Sequence, residues 1–237
     1  LYSEPAIRGP GKMKVLVVDD EEYNRLLFKT ILERMHLEYH EADNGTDALQ
    51  MLKNEKFDMM FMDVRMPGLN GLEVTRIIRE QMHISMSDMP IVCISAASVR
   101  EQWPDYDQAG MNTFLPKPFT EKALQDIITA ALANGSSPGK VADHFVLEEN
   151  GLKTSDKLNL KSLYHIAGGD KTFVTQMLNT YLETTTEGLN AIGHSAGEGD
   201  WENIGHQAHK ILPPSRHLGA TRLCRLLEQI EDNAPVS

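Results

Sequence analysis

Residues 14–27 read KVLVVDDEEYNRLL, and this stretch decides how the first half of the chain is organised. The short apolar run at 14–18 is typical of a strand that is buried on both faces. Two carboxylates, Asp19 and Asp20, follow directly, and an amphipathic segment at 22–36 then predicts a helix. A strand that passes at once into a helix is the repeating unit of a parallel α/β sheet.

The same alternation continues to residue 133. Short apolar runs predict three further buried strands, and a more polar run predicts an edge strand; they lie at 57–62, 90–95, 113–116 and, for the edge, 38–43. Amphipathic segments at 45–54, 70–83, 98–109 and 120–133 predict the helices between them. The sequence therefore predicts an α/β domain with a doubly wound, five-stranded parallel sheet.

The second half of the chain has no convincing strand. Helical apolar spacing occurs at 159–167, 170–196, 200–212 and 219–232. Asp170 and Asp200 end two glycine-containing breaks and can cap the helices that follow. This half is therefore expected to be an all-α helical bundle. Because the last helical segment ends where a further helix could begin, we expect the bundle to be truncated at its C-terminus.

Turn-forming residues at 134–140 (NGSSPGK) separate the two halves. The expected organisation is a linker at 1–13, the α/β domain at 14–134, a second linker at 135–147 and the helical bundle at 148–237.

The composition of the chain argues against a nucleic-acid-binding protein and against a membrane-spanning segment. The 237 residues carry a net charge of −11, which disfavours direct binding to nucleic acid. No apolar run approaches the roughly 18 residues of a membrane span, so we expect no membrane contact by this segment. Cys93 and Cys224 lie far apart without metal-type spacing, which is typical of reduced thiols in the cytoplasm.

Five polar side chains are expected together where parallel strands end, because ligands of such sheets bind at the carboxyl ends of the strands. They are Asp19, Asp20, Asp63, Ser95 and Lys117. Clustered carboxylates need a cation, and their hard oxygen atoms suit Mg²⁺. A carboxylate beside a metal and an ammonium group can accept a phosphoryl group. One alternative is a phosphatase that forms an aspartyl-phosphate, although its DxD spacing is replaced here by DDEE.

The motifs KVLVVDDEEYNRLL, MDVRMPGLNGLE, IVCISA and FLPKPF resemble the receiver domain of two-component response regulators, which has a flavodoxin-like fold. The resemblance covers roughly 14–134. It implies that Asp63 is the phosphoacceptor. It also implies a Mg²⁺ pocket formed by Asp19, Asp20, Asp63 and the backbone carbonyl of Arg65. Ser95 and Lys117 would bind the phosphoryl oxygens, and Phe114 would be the aromatic residue that moves inward on activation.

The stretch GDWENIGHQAHKILPPSRHLGATRL (199–223) resembles the histidine phosphotransfer (HPt) domain of phosphorelays. His209 stands ten residues before Gly219, as in that family, and is the implied phosphoacceptor. It is expected to be exposed on its helix. The rival histidines are His206, His217 and His194. The alternative function is a helical docking module that receives no phosphate.

The family usually has lysine three residues after the histidine and a small residue next, where this chain has Leu212 and Pro213. The tandem prolines predict that the helix kinks or stops about one turn past His209. If the helix resumes with little distortion, Arg216 lies seven residues on and nearly on the same face. Arg216, with Lys210, is then expected to replace the missing cation.

A receiver followed by an HPt domain resembles the C-terminal part of a bacterial hybrid sensor histidine kinase. The chain contains no glycine-rich ATP-binding motif, so it is expected to be a phosphotransfer protein and not to phosphorylate itself from ATP. The implied partners are a histidine kinase domain, expected in the same polypeptide, and a downstream response regulator. The expected location is cytoplasmic, with a parent protein that could be anchored in the membrane.

Overall fold

The computed structural model describes residues 13–95, 99–117, 119–134, 158 and 160–233. It divides the chain into two units, Leu1–Val146 and Leu147–Ser237. Apart from Met13, the two expected linkers at 1–13 and 135–147 lie outside the described residues.

The first unit contains the five-stranded parallel sheet that the sequence predicts. Its strands are β1 (Lys14–Val18), β2 (Glu38–Ala42), β3 (Met59–Asp63), β4 (Ile91–Ser95) and β5 (Thr113–Pro116). The strand order is β2-β1-β3-β4-β5, and every pair is parallel. The polar strand β2 lies at an edge, where a strand with half-exposed side chains is tolerated.

Five helices alternate with these strands. They are α1 (Glu22–Arg34), α2 (Gly45–Asn54), α3 (Gly71–Arg76), α4 (Val99–Ala109) and α5 (Glu121–Asn134), and α3 continues into a π-helical turn at Ile77–Gln81. Local signals set two of the starts: the Asn44 side chain caps α2, and Asn70 forms a capping box with Glu73 at α3.

The period-two alternation of side chains directs each strand to two cores. Leu16, Met60 and Cys93 face a cluster that also contains apolar residues of α2, α3 and α4. On the alternate position, the Phe61 ring lies 5.1 Å from the Phe28 ring of α1. Helices therefore cover both faces, as expected for a doubly wound fold.

Within the described residues of the second unit, the regular secondary structure is all helical. It consists of α6 (Lys161–Ile166), α7 (Lys171–Glu198), α8 (Trp201–His217) and α9 (Thr221–Asn233). Asp170 accepts hydrogen bonds from the backbone of Thr172 and Phe173, and Asp200 accepts one from Asn203, so both predicted caps are confirmed. Apolar residues of the long helices form its core: Ile192, Ala208, Ile211, Leu212, Cys224 and Leu227.

Helix α8 does not stop after His209, and that part of the prediction was wrong. It continues through Pro213 and Pro214 to His217. Both prolines are buried, as are their neighbours Leu212 and Ser215. Burial of these side chains against the other helices offsets the lost backbone hydrogen bonds, which in an isolated helix would end it.

Candidate functional sites

The polar residues predicted at the strand ends lie together in the first unit. Asp63 is the last residue of β3 and Ser95 the last of β4, while Asp19 and Lys117 directly follow β1 and β5. The backbone amide of Lys117 also donates to the carbonyl oxygen of Ser95 at 2.7 Å. Parallel pairing of these strands therefore brings the four residues to one edge of the sheet.

The ammonium group of Lys117 binds two carboxylates. Its Nζ lies 2.6 Å from Oδ2 of Asp63 and 2.9 Å from Oδ2 of Asp19, and all three side chains are buried. Burial alone would lower the pKa of Lys117, but the negative charges of Asp19 and Asp63 outweigh it and raise that pKa. Lys117 therefore stays charged and neutralises part of the acidic cluster.

Three carboxylates at this edge could hold a metal ion. One oxygen atom each of Asp19, Asp20 and Asp63 lies within 4.8 Å of the others. Carboxylate oxygens are hard ligands, and Mg²⁺ is bound by few of them while it keeps several waters. The donor set thus fits Mg²⁺. The backbone amide of Arg65 donates to Oδ1 of Asp63 at 3.2 Å, which orients the carboxylate from the loop side.

Two residues of this site were missed from the sequence. Glu21 is buried beside Asp19, and burial, opposed by the charge of Lys117, raises its pKa well above the usual value. The side-chain amide of Asn24 donates to both carboxylate oxygens of Asp19 at 3.1 Å and to Glu21 at 3.4 Å. Helical spacing could have indicated Asn24, because this residue lies one turn after Asp20 and Glu21, at the start of the helix that follows β1.

An aromatic group lies beside Ser95 and β5. The hydroxyl of Ser95 hydrogen-bonds the phenol of Tyr106, a residue of α4 that burial gives a raised pKa. The Phe114 ring is only 8% exposed and lies 5.4 Å from the ring of Trp103. Phe114 is therefore already inside the protein in this structure, packed against α4.

In the second unit His209 is not exposed as expected. It lies in the middle of α8 with 8% of its surface accessible, because α9 packs against α8 there. Its Nδ1 lies 2.7 Å from Oε1 of Glu231 on α9. His206 is half-buried on the same helix, and His194 is exposed on α7. The sequence around His209 gave no indication that the carboxylate of Glu231 would lie beside this histidine.

The two cations expected near His209 are both on α8. Because the helix is continuous, Arg216 does lie about two turns after His209, as the seven-residue spacing requires. Its guanidinium is bound to Oε1 of Glu228 at 2.8 Å. Lys210 is half-buried next to His209. Arg216 is thus held by α9 in this structure.

Burial sets the properties of His217. Its Nε2 atom is buried, and the loss of solvation lowers the pKa of this imidazole to about 4. His217 is therefore neutral at physiological pH, with Nε2 turned inside the protein while the residue as a whole is half-buried at the end of α8.

Comparisons with known proteins match both units. The family model described as response regulator receiver domain matches residues 15–129, and that described as Hpt domain matches residues 176–236. Chemotaxis protein CheY of Pseudomonas aeruginosa is 35% identical over 117 residues, which are 49% of this chain and 93% of CheY. The solved structure of chemotaxis protein CheY4 of Vibrio cholerae is 27% identical with a TM-score of 0.48, covering 52% of this chain and 100% of that one.

Longer relatives match both units at once. Sensor histidine kinase GacS of Pseudomonas protegens is 28% identical over 89% of this chain and 23% of GacS. Sensor protein EvgS of Escherichia coli O157:H7 is 28% identical over 97% of this chain and 18% of EvgS. The chain therefore spans a quarter or less of the length of these two relatives. Within the described residues, no helix combines the length and apolar character that crossing a membrane requires.

Proposed function

The chain belongs to the response regulator receiver family and carries an Hpt domain after its receiver domain, and from this premise we propose that Asp63 and His209 are its two phosphoacceptors. Receiver and Hpt domains in series are the domains of two-component phosphorelays, and the relatives that match both domains are sensor proteins. The family match leaves the phosphatase alternative without support.

The observation that carries the proposal is the contact between Lys117 and Asp63. In the receiver, a carboxylate oxygen of Asp63 attacks the phosphorus atom of a donor, the new O–P bond forms, and the bond to the donor breaks. Lys117 holds the Asp63 carboxylate in place and offers its charge to the incoming oxygens. Ser95, at the end of the neighbouring strand, is proposed to donate a hydrogen bond to one of them.

Asp19, Asp20, Asp63 and the backbone carbonyl of Arg65 are the proposed Mg²⁺ ligands. The close carboxylate oxygens and their hard-donor chemistry support this assignment. When bound, Mg²⁺ supplies positive charge that offsets the charge of the transferring group. Asn24 and Lys117 keep the Asp19 carboxylate at the rim of the site.

In the Hpt domain, His209 exchanges the phosphoryl group with an aspartyl-phosphate, and Lys210 and Arg216 are the proposed cations that stabilise it. Arg216 would have to exchange its contact with Glu228 for one with the phosphoryl group.

The proposed whole protein is a bacterial hybrid sensor histidine kinase, whose kinase domain supplies the receiver and whose Hpt domain serves a downstream response regulator. The proposed location of this segment is the cytoplasm.

Mass spectrometry after incubation with acetyl phosphate tests the receiver assignment. With Mg²⁺ the chain should gain one phosphoryl mass, and Asp63→Asn should remain unlabelled; a label that persists in Asp63→Asn would place the acceptor elsewhere.

Transfer from a phosphorylated kinase domain then tests His209. The label should divide into a base-labile acyl phosphate and an acid-labile phosphohistidine, and His209→Gln should lose only the second, whereas His206→Gln should keep both. A docking module would show no phosphohistidine in the parent chain.

A further inference from the structure

Helices α8 and α9 form an antiparallel pair, and their interface carries two polar contacts. The short connection at 218–220 joins the helices, which pack against each other. Nδ1 of His209 lies 2.7 Å from Oε1 of Glu231. Arg216 donates to Oε1 of Glu228 at 2.8 Å. Glu228 and Glu231 are three residues apart, so both acids reach α8 from one face of α9 and the two contacts are neighbours.

The side chain of Arg216 runs along this interface towards the level of His209. Counted from Gly219 in the turn, His209 and Glu231 lie ten and twelve residues away, so their contact runs almost straight across the pair. Arg216 and Glu228 lie three and nine residues away, so their contact is slanted. Side chains of a helix tilt towards its N-terminus, which for Arg216 is the direction of His209. The guanidinium group therefore ends at Glu228, roughly 4.5 Å along α9 from the residue that binds His209.

Phosphorylation would change the balance of charge at this interface. A ring nitrogen of His209 attacks the phosphorus atom of an aspartyl-phosphate, the N–P bond forms, and the bond between phosphorus and the aspartate oxygen breaks. The aspartate leaves as a carboxylate, while the ring keeps its hydrogen and becomes positively charged. The phosphoryl group brings up to about two negative charges and three acceptor oxygens. A guanidinium group suits them, because its N–H donors match phosphoryl oxygens in pairs.

The carboxylate of Glu228 binds the same guanidinium group. The exposed fractions of the Arg216 and Glu228 side chains are 30% and 39%. Because both are partly exposed, the pair can open at a small cost and the released carboxylate returns to water. The phosphoryl group must nevertheless displace Glu228 before it gains Arg216. One turn after His209, the buried Leu212 offers no charge that could replace this cation.

We propose that Glu228 is a positioning residue that competes with the phosphoryl group for Arg216, and that this competition sets how strongly His209 retains the phosphoryl group. The proposal rests on the function proposed above. A partly exposed ion pair changes an equilibrium constant by up to about fivefold. The equilibrium between aspartyl-phosphate and phosphohistidine should therefore lie about two- to fivefold further towards the aspartate than it would without Glu228. Such a domain passes its phosphoryl group on instead of storing it.

The equilibrium distribution of a phosphoryl label in the whole chain tests this competition. The chain is labelled with acetyl phosphate and Mg²⁺, the donor is removed, and the ratio of acid-labile phosphohistidine to base-labile acyl phosphate is followed until it is constant. Glu228→Gln should raise this ratio by about two- to fivefold. Glu202→Gln makes the same change at an exposed acid in the first turn of α8; it is the matched control and should keep the parent ratio.

A double-mutant cycle separates competition for Arg216 from a merely structural role of Glu228. Arg216→Ala alone should lower the ratio, because the phosphoryl group loses its guanidinium partner. In the Arg216→Ala background, Glu228→Gln should change the ratio little, since there is no guanidinium group to release. If Arg216→Ala does not fold, Arg216→Gln, which keeps more of the side chain, takes its place in the cycle.

Three results would contradict the reasoning, and they differ in what they overturn. If the parent forms phosphohistidine and Glu228→Gln leaves the ratio at the parent value or lowers it, the competition is wrong and the proposed function stands. A gain of the same size with and without Arg216 also overturns the competition, because it would come from the charge of Glu228 alone. If neither the parent nor Glu228→Gln forms phosphohistidine at His209, the proposed function itself fails.

Discussion

Substitution of His217 should remove a component of the pH dependence of the helical unit. Burial holds the pKa of His217 at about 4 in the folded chain, and an unfolded histidine has a pKa of about 6.5. Between these values the unfolded state binds a proton that the folded state does not. The contribution of His217 to the free energy of unfolding is therefore largest above a pH of about 6.5, and it falls as the pH decreases towards about 4.

The size of the effect follows from the two pKa values. The difference between these two pKa values corresponds to roughly 3 kcal/mol in all, of which about 2 kcal/mol is lost between about pH 7 and about pH 5. Urea unfolding followed by the amide NMR signals of α8 and α9 measures this quantity at each pH. His217→Gln cannot take up the proton, so the variant should lose about 2 kcal/mol less over the same interval than the parent.

The comparison uses the slope with pH and not the absolute stability, because the substitution also alters packing. His194→Gln removes an exposed histidine of α7 and is the control; its slope should match that of the parent. If His217→Gln and the parent lose the same free energy between about pH 7 and about pH 5, then His217 is not buried as a neutral ring and the reasoning fails.

Three further substitutions test the receiver. In Gly71→Ala the new Cβ would meet the backbone carbonyl oxygen of Asp63, so the free energy of unfolding should fall by about 1–3 kcal/mol in urea titrations, whereas Gly197→Ala, with open space around it, should not be destabilised. Asn24→Ala removes the donor shared by Asp19 and Glu21; unfolding should cost about 1.5–3 kcal/mol less, and a Mg²⁺ titration followed by NMR should show weaker binding. Tyr106→Phe releases the hydroxyl of Ser95, so labelling by acetyl phosphate should become faster in a mass-spectrometric time course; an unchanged rate would show that this hydrogen bond does not restrain Ser95.

The strands and the receiver site could be predicted because both depend on local patterns. The run at 14–18 forms β1 with the predicted bounds, and 113–116 forms β5. Once the strands are parallel, the residues that follow them must share an edge, so Asp19, Asp63 and Lys117 could be placed together from the sequence. Glu21 was missed because acids after a strand usually cap the next helix, and nothing local shows that this one turns into the cluster.

The Hpt half was harder because its site depends on how helices pack. The contact between His209 and Glu231 joins residues that lie 22 positions apart, and only the register of α9 against α8 brings them together. The same packing carries α8 through Pro213 and Pro214, which local rules interpret as a helix end. Tertiary burial of these prolines outweighs a helix propensity that is about 3 kcal/mol unfavourable for each.

The ring contact between Trp103 and Phe114 gives the receiver an intrinsic optical reporter. The chain contains two tryptophans, and Trp201 is 58% exposed at the start of α8. Trp201→Phe would therefore leave Trp103 as the one indole, with its ring 5.4 Å from Phe114 and 6.3 Å from Tyr106. Any movement of Phe114 or of the phenol that binds Ser95 changes the surroundings of that indole. The emission of Trp103 should then follow occupancy of the acidic pocket in real time, without a label and without separating the two domains.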